Sequence, residues 1–253
     1  MTFRRTFLQA SVAAVLAGAA SLSFAQSDVI KVATDATFPP MEFMEDGKYT
    51  GFDIELVEAV AKKMGKKVEW VNIDFKGLIP GLVSKRFDMA VSAIYITDER
   101  KKVVDFTDAY YAGGLVAMVK EGSPIQTLKD LDGKKVSVQV GTKSVGYLTE
   151  HYPKVQRVEV EKNQEMFNLV AIGRADAAVT GKPAAFQYVR TRGGLQVLSE
   201  QLTTEEYGMA VRKDLPELTK QINQALVELK ANGTYQGLVN KWFPSNLKTL
   251  GKK

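Results

Sequence analysis

Arg100 stands where a buried strand has just ended. The stretch SAIYITDERKKVVDFT, Ser92 to Thr107, is apolar up to Ile96, breaks into TDER and resumes as VVDF. A guanidinium in that place presents a rigid fork of donors, which grips a carboxylate through two parallel charge-assisted bonds that lysine does not reproduce. The chemistry it suggests is anion binding rather than bond making. The rest of the chain points the same way. There is no cysteine, which excludes disulfides, thiolate metal sites and cysteine nucleophiles. The one histidine, His151, lies in EHYPK at an expected helix end, a place for a solvated side chain. No serine, histidine and aspartate constellation, metal-ligand spacing or phosphate loop is present. The expectation is a protein without catalytic residues, cofactor or metal.

A strand-end arginine needs strands to carry it. VIKVA (29–33) is followed by FDIELVEAVAKKMG, in which Ile54, Val57, Ala61 and Met64 recur at helical spacing before Gly65 stops the helix. KVEWVNI, the helical FKGLIPGLVSKR and the strand FDMAVSAI come next, and this alternation predicts a parallel sheet with helices on its faces. The pattern repeats from KKVSVQV (134–140) through TKSVGYLTEHY, VQRVEV, NQEMFNLVAIGR and ADAAVT. LVSKRFDMAVS from Leu82 and LVAIGRADAAVT from Leu169 are alike in detail, so two similar α/β lobes are expected, each of roughly 90 residues. The boundaries expected are 26–109 with 208–253 for lobe 1, 115–202 for lobe 2, and chain crossings at 110–114 and 203–207. Gly113 and Gly114 would supply loose backbone at the first crossing. Two final helices separated by Gly233 should pack on lobe 1. In open α/β sheets ligands bind beyond the carboxyl ends of the strands. Those ends are TDATF (34–38), SAIYITDER (92–100), QVGTKS (139–144) and TGKP (180–183), and two facing lobes would bring them to one cleft.

The amino terminus predicts export. Arg4 and Arg5, an apolar stretch from Ser11 to Ala20 and the small-residue ending SFA before Gln26 form the pattern of a cleaved secretory signal over residues 1–25. RRTFLQ also resembles a twin-arginine motif. The apolar stretch is shorter than the roughly 20 residues a membrane span needs, and no cysteine follows it to carry a lipid. The formal charge of +5 over 253 residues falls to +3 without Arg4 and Arg5. The lysines are scattered without interleaved aromatics, so no nucleic-acid surface is expected. With 45% hydrophobic and 25% charged residues, the reading is a globular protein of the periplasm.

The stretches VATDATFPPMEF, YTGFDIEL, DFKGLIPGL, ITDERKKVVDFTDAYY, LKDLDGKKVSVQVGT, RADAAV, EEYGMAVRK and NGTYQGLVNKWF together resemble the polar amino-acid-binding proteins of ABC importers, family 3 of the solute-binding proteins, and most closely the glutamine type. The resemblance covers nearly all of the chain after the leader. It implies the type II two-lobed α/β fold, two parallel-type sheets joined by two hinge strands. It implies a monomer that clamps one free amino acid and delivers it to a membrane permease with its ATPase. By the same resemblance Arg100 takes the ligand's carboxylate, helped by backbone NH groups of Tyr95 and of Lys143 after Thr142. Phe38 and Phe75 sandwich the side chain and Asp35 reads its amide, and Ser92 is a further ligand-binding position; for the ammonium the remaining acceptors are the Ala93 carbonyl, the hydroxyls of Tyr95 and Thr180, and the Asp35 carboxylate. Gln139 and Thr180 stand where the glutamine type has lysine and histidine. Gly181 replaces the aspartate that binds the α-ammonium, so an aspartate restored there is expected to tighten binding of an amino acid. Two other readings stay open: a ligand with a carboxylate and no ammonium, and an exported dehydratase-like enzyme on the same fold.

Overall fold

The computed structural model describes residues 28–244, so the expected leader lies outside the described residues. Two five-stranded sheets carry the chain. The first runs, edge to edge, Lys67–Asn72, Val29–Thr34, Met89–Ala90, Ala210–Val211 and Asp105–Phe106. The second runs Gln156–Val160, Lys135–Gln139, Ala177–Gly181, Leu115–Lys120 and Leu195–Gln201. The two orders are the same pattern, as the internal likeness predicts.

The sheets are mixed rather than parallel throughout. In each, the first three strands are parallel, and the fourth runs against both its neighbours. The reason is the route of the chain. Leu115–Lys120 and Ala210–Val211 each enter a lobe from a crossing at the carboxyl ends of the parallel strands, so each descends the sheet in the opposite sense. Leu115 accordingly pairs with Gly181, the last residue of its neighbour.

Between the sheets, Tyr111–Ala112 and Glu206–Tyr207 form a short antiparallel ladder. Gly113 and Gly114 do not loosen this region. A Cβ on Gly113 would run into the rings of Tyr207 and Tyr95, and one on Gly114, whose φ is 104°, into the Gln201 side chain and the Thr203 carbonyl. These glycines let the two crossings approach each other.

Helices fill both faces. Phe52–Lys63 buries Ile54, Leu56, Val57, Val60 and Ala61, and the final helices Pro216–Ala231 and Thr234–Trp242 pack against it. Gly233 separates those two in the left-handed conformation, φ 82°. No described helix is long and apolar enough to cross a membrane. One element escapes the sequence reading: a three-stranded antiparallel sheet of Thr37–Phe38, Glu42–Glu45 and Lys48–Thr50, in which Phe38 pairs with Glu42. It brings an acidic side chain beside an aromatic expected at the site.

Candidate functional site

The two sheets face each other across a narrow cleft at their carboxyl ends. Asp35, Phe38, Phe75, Ser92, Ala93, Tyr95, Gln139, Thr142, Lys143, Thr180 and Gly181 all line it. Arg100 lies just behind this lining. Thr97 caps the short helix Asp98–Lys101 by accepting the Arg100 backbone NH at 3.3 Å. The guanidinium then reaches two carbonyls, Tyr95 O at 3.0 Å and, from the other lobe, Gly141 O at 3.2 Å, with its carbon 5.6 Å from the Phe75 ring centre. Among the described residues it has no carboxylate within ion-pair distance, and burial pulls its pKa down to about 10. A half-buried guanidinium with only neutral partners keeps the donors that an anion would need. The helix Lys143–His151 starts beside it, and its first NH groups have no partner within the helix. The Lys143 side chain is engaged elsewhere, by Glu205 at 2.5 Å.

At the other end Asp35 is crowded with donors. One carboxylate oxygen accepts the Phe75 NH at 3.1 Å and Gln139 Nε2 at 2.8 Å, and the other accepts Thr37 Oγ1 at 3.0 Å and Lys162 Nζ at 3.3 Å. Lys162 also holds Asp74 at 2.6 Å. The network continues through lobe 2: Asn163 Nδ2 donates to Gln139 Oε1 at 2.6 Å, and Thr180 Oγ1 donates to Asn163 Oδ1 at 3.1 Å. Lys76 and Glu161 add an ion pair between the lobes at 2.6 Å. Lys162 and Asn163 went unnoticed in the sequence, although the signal was present. They follow the strand Gln156–Val160, whose carboxyl end faces the cleft like the four that were counted.

A third group lies in lobe 1 alone. Ser92 Oγ donates to Glu42 Oε1 at 2.7 Å and accepts the Asp35 NH at 3.2 Å. Asp53 accepts the Ala93 NH and the Tyr110 hydroxyl, both at 2.8 Å. Ala93 has a φ of 46°, a conformation uncommon outside glycine, and Asp53 holds it there. Glu42 lines the cleft and is 1% exposed. Its Oε2 and the Oδ1 of Asp53 are buried and have only the hydrogen bond between the two carboxyls. Burial, and then the Asp53 charge, push the Glu42 pKa well up, and burial pushes Asp53 up to about 7. Two carboxyl groups that close hold a proton between them.

Gly181 has no room for the aspartate expected to help there. A Cβ would sit 2.5 Å from the Tyr207 hydroxyl and 2.9 Å from the Phe38 ring. This crowding opposes the expectation that Gly181→Asp tightens binding. Lys182 does not intrude, since its ammonium takes Gln201 Oε1 at 3.4 Å.

The two-lobed arrangement finds its counterpart among known proteins. The model of the bacterial extracellular solute-binding proteins, family 3, matches residues 30–245. The chain belongs to that family. Among relatives, the L-cystine-binding protein TcyJ of Escherichia coli K12 is 32% identical over 257 residues, covering 96% of this chain and 97% of its own. Among solved structures, an ancestral arginine-binding protein bound to arginine superposes with a TM-score of 0.82 at 42% identity, covering 85% of this chain and 98% of its own. An ancestral arginine-binding protein bound to glutamine gives 0.81 at 42%, with the same coverage. An ancestral amino-acid-binding protein described as a precursor of cyclohexadienyl dehydratase gives 0.81 at 41%, covering 85% and 96%. The family-3 fold thus accommodates different ligands, and the cleft of this member must be read from its own residues.

Proposed function

We propose that this family-3 protein is the periplasmic binding component of an ABC amino-acid importer, and that it clamps one free amino acid with a neutral polar, glutamine-like side chain. Arg100 receives the α-carboxylate, with the NH groups of Tyr95 and Lys143. Phe38 and Phe75 flank the side chain, whose end meets the Asp35, Gln139, Asn163 and Thr180 network. The protein works as a monomer and hands its ligand to a membrane permease with its ATPase.

The observation that carries the side-chain reading is the state of Asp35. A cationic side chain needs a carboxylate free to receive it, and this one already accepts Lys162, Gln139, Thr37 and the Phe75 NH. A neutral amide exchanges hydrogen bonds with such a network without stranding a charge, whereas a guanidinium must displace Lys162. Calorimetric titration with L-glutamine, L-arginine, L-lysine, L-histidine and L-cystine tests this. L-glutamine is expected to bind more tightly than the basic amino acids. L-arginine binding tenfold more tightly than L-glutamine would overturn the assignment.

A protonated carboxyl in the cleft is also what a dehydratase on this scaffold needs, and Glu42 is such a group. The two readings separate on one measurement: mass spectrometry after prolonged incubation finds the bound amino acid unchanged if the protein is a carrier.

A further inference from the structure

The charges around the cleft do not balance in lobe 1. Asp35, Glu42 and Asp53 lie on one hydrogen-bonded run through Ser92 and Ala93. The cation Lys162 is spent on the outermost of them, shared with Asp74. Glu42 and Asp53 have no Lys or Arg within ion-pair distance among the described residues, and Glu42 Oε2 and Asp53 Oδ1, which no other group reaches, have only the hydrogen bond between the two carboxyls. The groups packed on them are Ser92, the Ala93 NH and the hydroxyl of Tyr110, with Tyr207 nearby. The start of the helix Phe52–Lys63 adds a partial positive charge at Asp53. None of these is a full cation. Across the cleft, position 181 is filled by the Tyr207 hydroxyl and the Phe38 ring, so lobe 2 offers no carboxylate there.

From this geometry we infer that Glu42, backed by Asp53, is the counter-charge for the ammonium group of the bound amino acid. The anchor for the ligand's positive end has thus moved from lobe 2 to lobe 1. Ser92 positions the Glu42 carboxylate at the cleft wall, and Asp53 holds Ala93 beside it. Arg100 and Glu42 then form two unlike poles for a zwitterion. The inference rests on the amino-acid reading above.

It has a consequence that a packing role for Glu42 does not. The pair holds a proton in the ligand-free protein, and an incoming ammonium favours its loss. Affinity therefore rises with pH as the pair ionises. Both parent and Glu42→Gln are to be titrated between pH 5 and pH 8 with the twenty common L-amino acids and L-cystine, and with glutaramate, which keeps the carboxylate and amide of glutamine but lacks the ammonium. Glutamine at position 42 retains an acceptor for Ser92 and offers an NH to Asp53, so it copies the protonated glutamic acid. The parent is expected to bind an L-amino acid at least tenfold more tightly at pH 8 than at pH 5. Glu42→Gln should lose at least tenfold at pH 8, with a flattened pH profile and unchanged glutaramate binding. If parent and variant bind the same amino acid with equal affinity and equal pH dependence, the inference falls while the amino-acid reading stands. If the parent binds glutaramate and no amino acid, or none of these compounds, both fall. Should Glu42→Gln fail to fold, the parent's own profile decides: a flat affinity from pH 5 to pH 8 overturns the proposal.

Discussion

Among the described residues Arg100 has no carboxylate partner and the Glu42 and Asp53 pair has no cation, and each supports a prediction. Arg100→Ala should weaken amino-acid binding by about 2 to 5 kcal/mol, because the ligand carboxylate would enter a desolvated site without its counter-ion. Thermal unfolding of the ligand-free variant should stay close to the parent, since the guanidinium's partners are only two carbonyls. A dissociation constant within threefold of the parent would refute the role. The Glu42 and Asp53 pair predicts a pH effect on folding itself. Both groups hold their protons more tightly folded than unfolded. The unfolded chain thus releases protons first, from about pH 4, and the stability of the ligand-free protein declines as pH rises towards about 7. Glu42→Gln should remove part of that decline, measured as melting temperature from pH 4.5 to pH 8. Gly181→Ala should weaken binding by about 1 to 3 kcal/mol through overpacking against Tyr207 and Phe38, and calorimetry showing tighter binding would contradict the crowding. The sequence pointed to Arg100 because a charged fork after an apolar strand is conspicuous in one dimension. Glu42 reads from the sequence as lying near the expected cleft, but MEF is ordinary for binding proteins of this kind, and only the pairing of Glu42 with Phe38 and its bond from Ser92 bring it to the wall.

Asp88 and Asp176 show how far the elements could be read in advance. Their matching places in LVSKRFD and LVAIGRAD suggested equivalent structural roles, and the carboxylates do make the same bond. Asp88 accepts the NH of Lys31 at 3.0 Å and Asp176 the NH of Lys135 at 2.8 Å, each on the neighbouring parallel strand. Asp88 also pairs with Arg212 at 3.2 Å. Asp176→Ala is expected to cost about 0.5 to 1.5 kcal/mol, the net worth of one exposed hydrogen bond. Asp88→Ala should cost more, because Arg212 loses a partner as well. The effects should add in the double variant, the residues lying in separate sheets; urea unfolding measures all three, and strong non-additivity would argue against independent roles. The helices and parallel strands were legible because their hydrophobic periods differ, as in Phe52–Lys63 against Lys135–Gln139. The antiparallel fourth strands were not. Nothing local in LVAMVK states from which end of the sheet it enters; that follows from the chain's two passages between lobes. The small sheet around Phe38 and Glu42 was missed because its strands have two to four residues, too few to show alternation.

The molecule as a whole has its two lobes in contact across the cleft. Arg100 to Gly141, Gln139 to Asp35, Lys162 to Asp35 and Asp74, and Lys76 to Glu161 all join one lobe to the other. The exposed ion pair of Lys76 with Glu161 contributes little, and the buried bond from Gln139 to the Asp35 carboxylate about 1.5 to 3 kcal/mol. Under the proposed function, a ligand that touches both lobes would add to these links, and closure would be a population shift driven by binding. Opening breaks these links and leaves the ladder of Tyr111–Ala112 with Glu206–Tyr207 as the pivot. The most direct test is small-angle X-ray scattering of the ligand-free protein and of the protein saturated with the amino acid that calorimetry selects. The account predicts a smaller radius of gyration on saturation, with Arg100→Ala failing to compact at the same ligand concentration. An identical radius of gyration with and without saturating ligand would contradict the clamp.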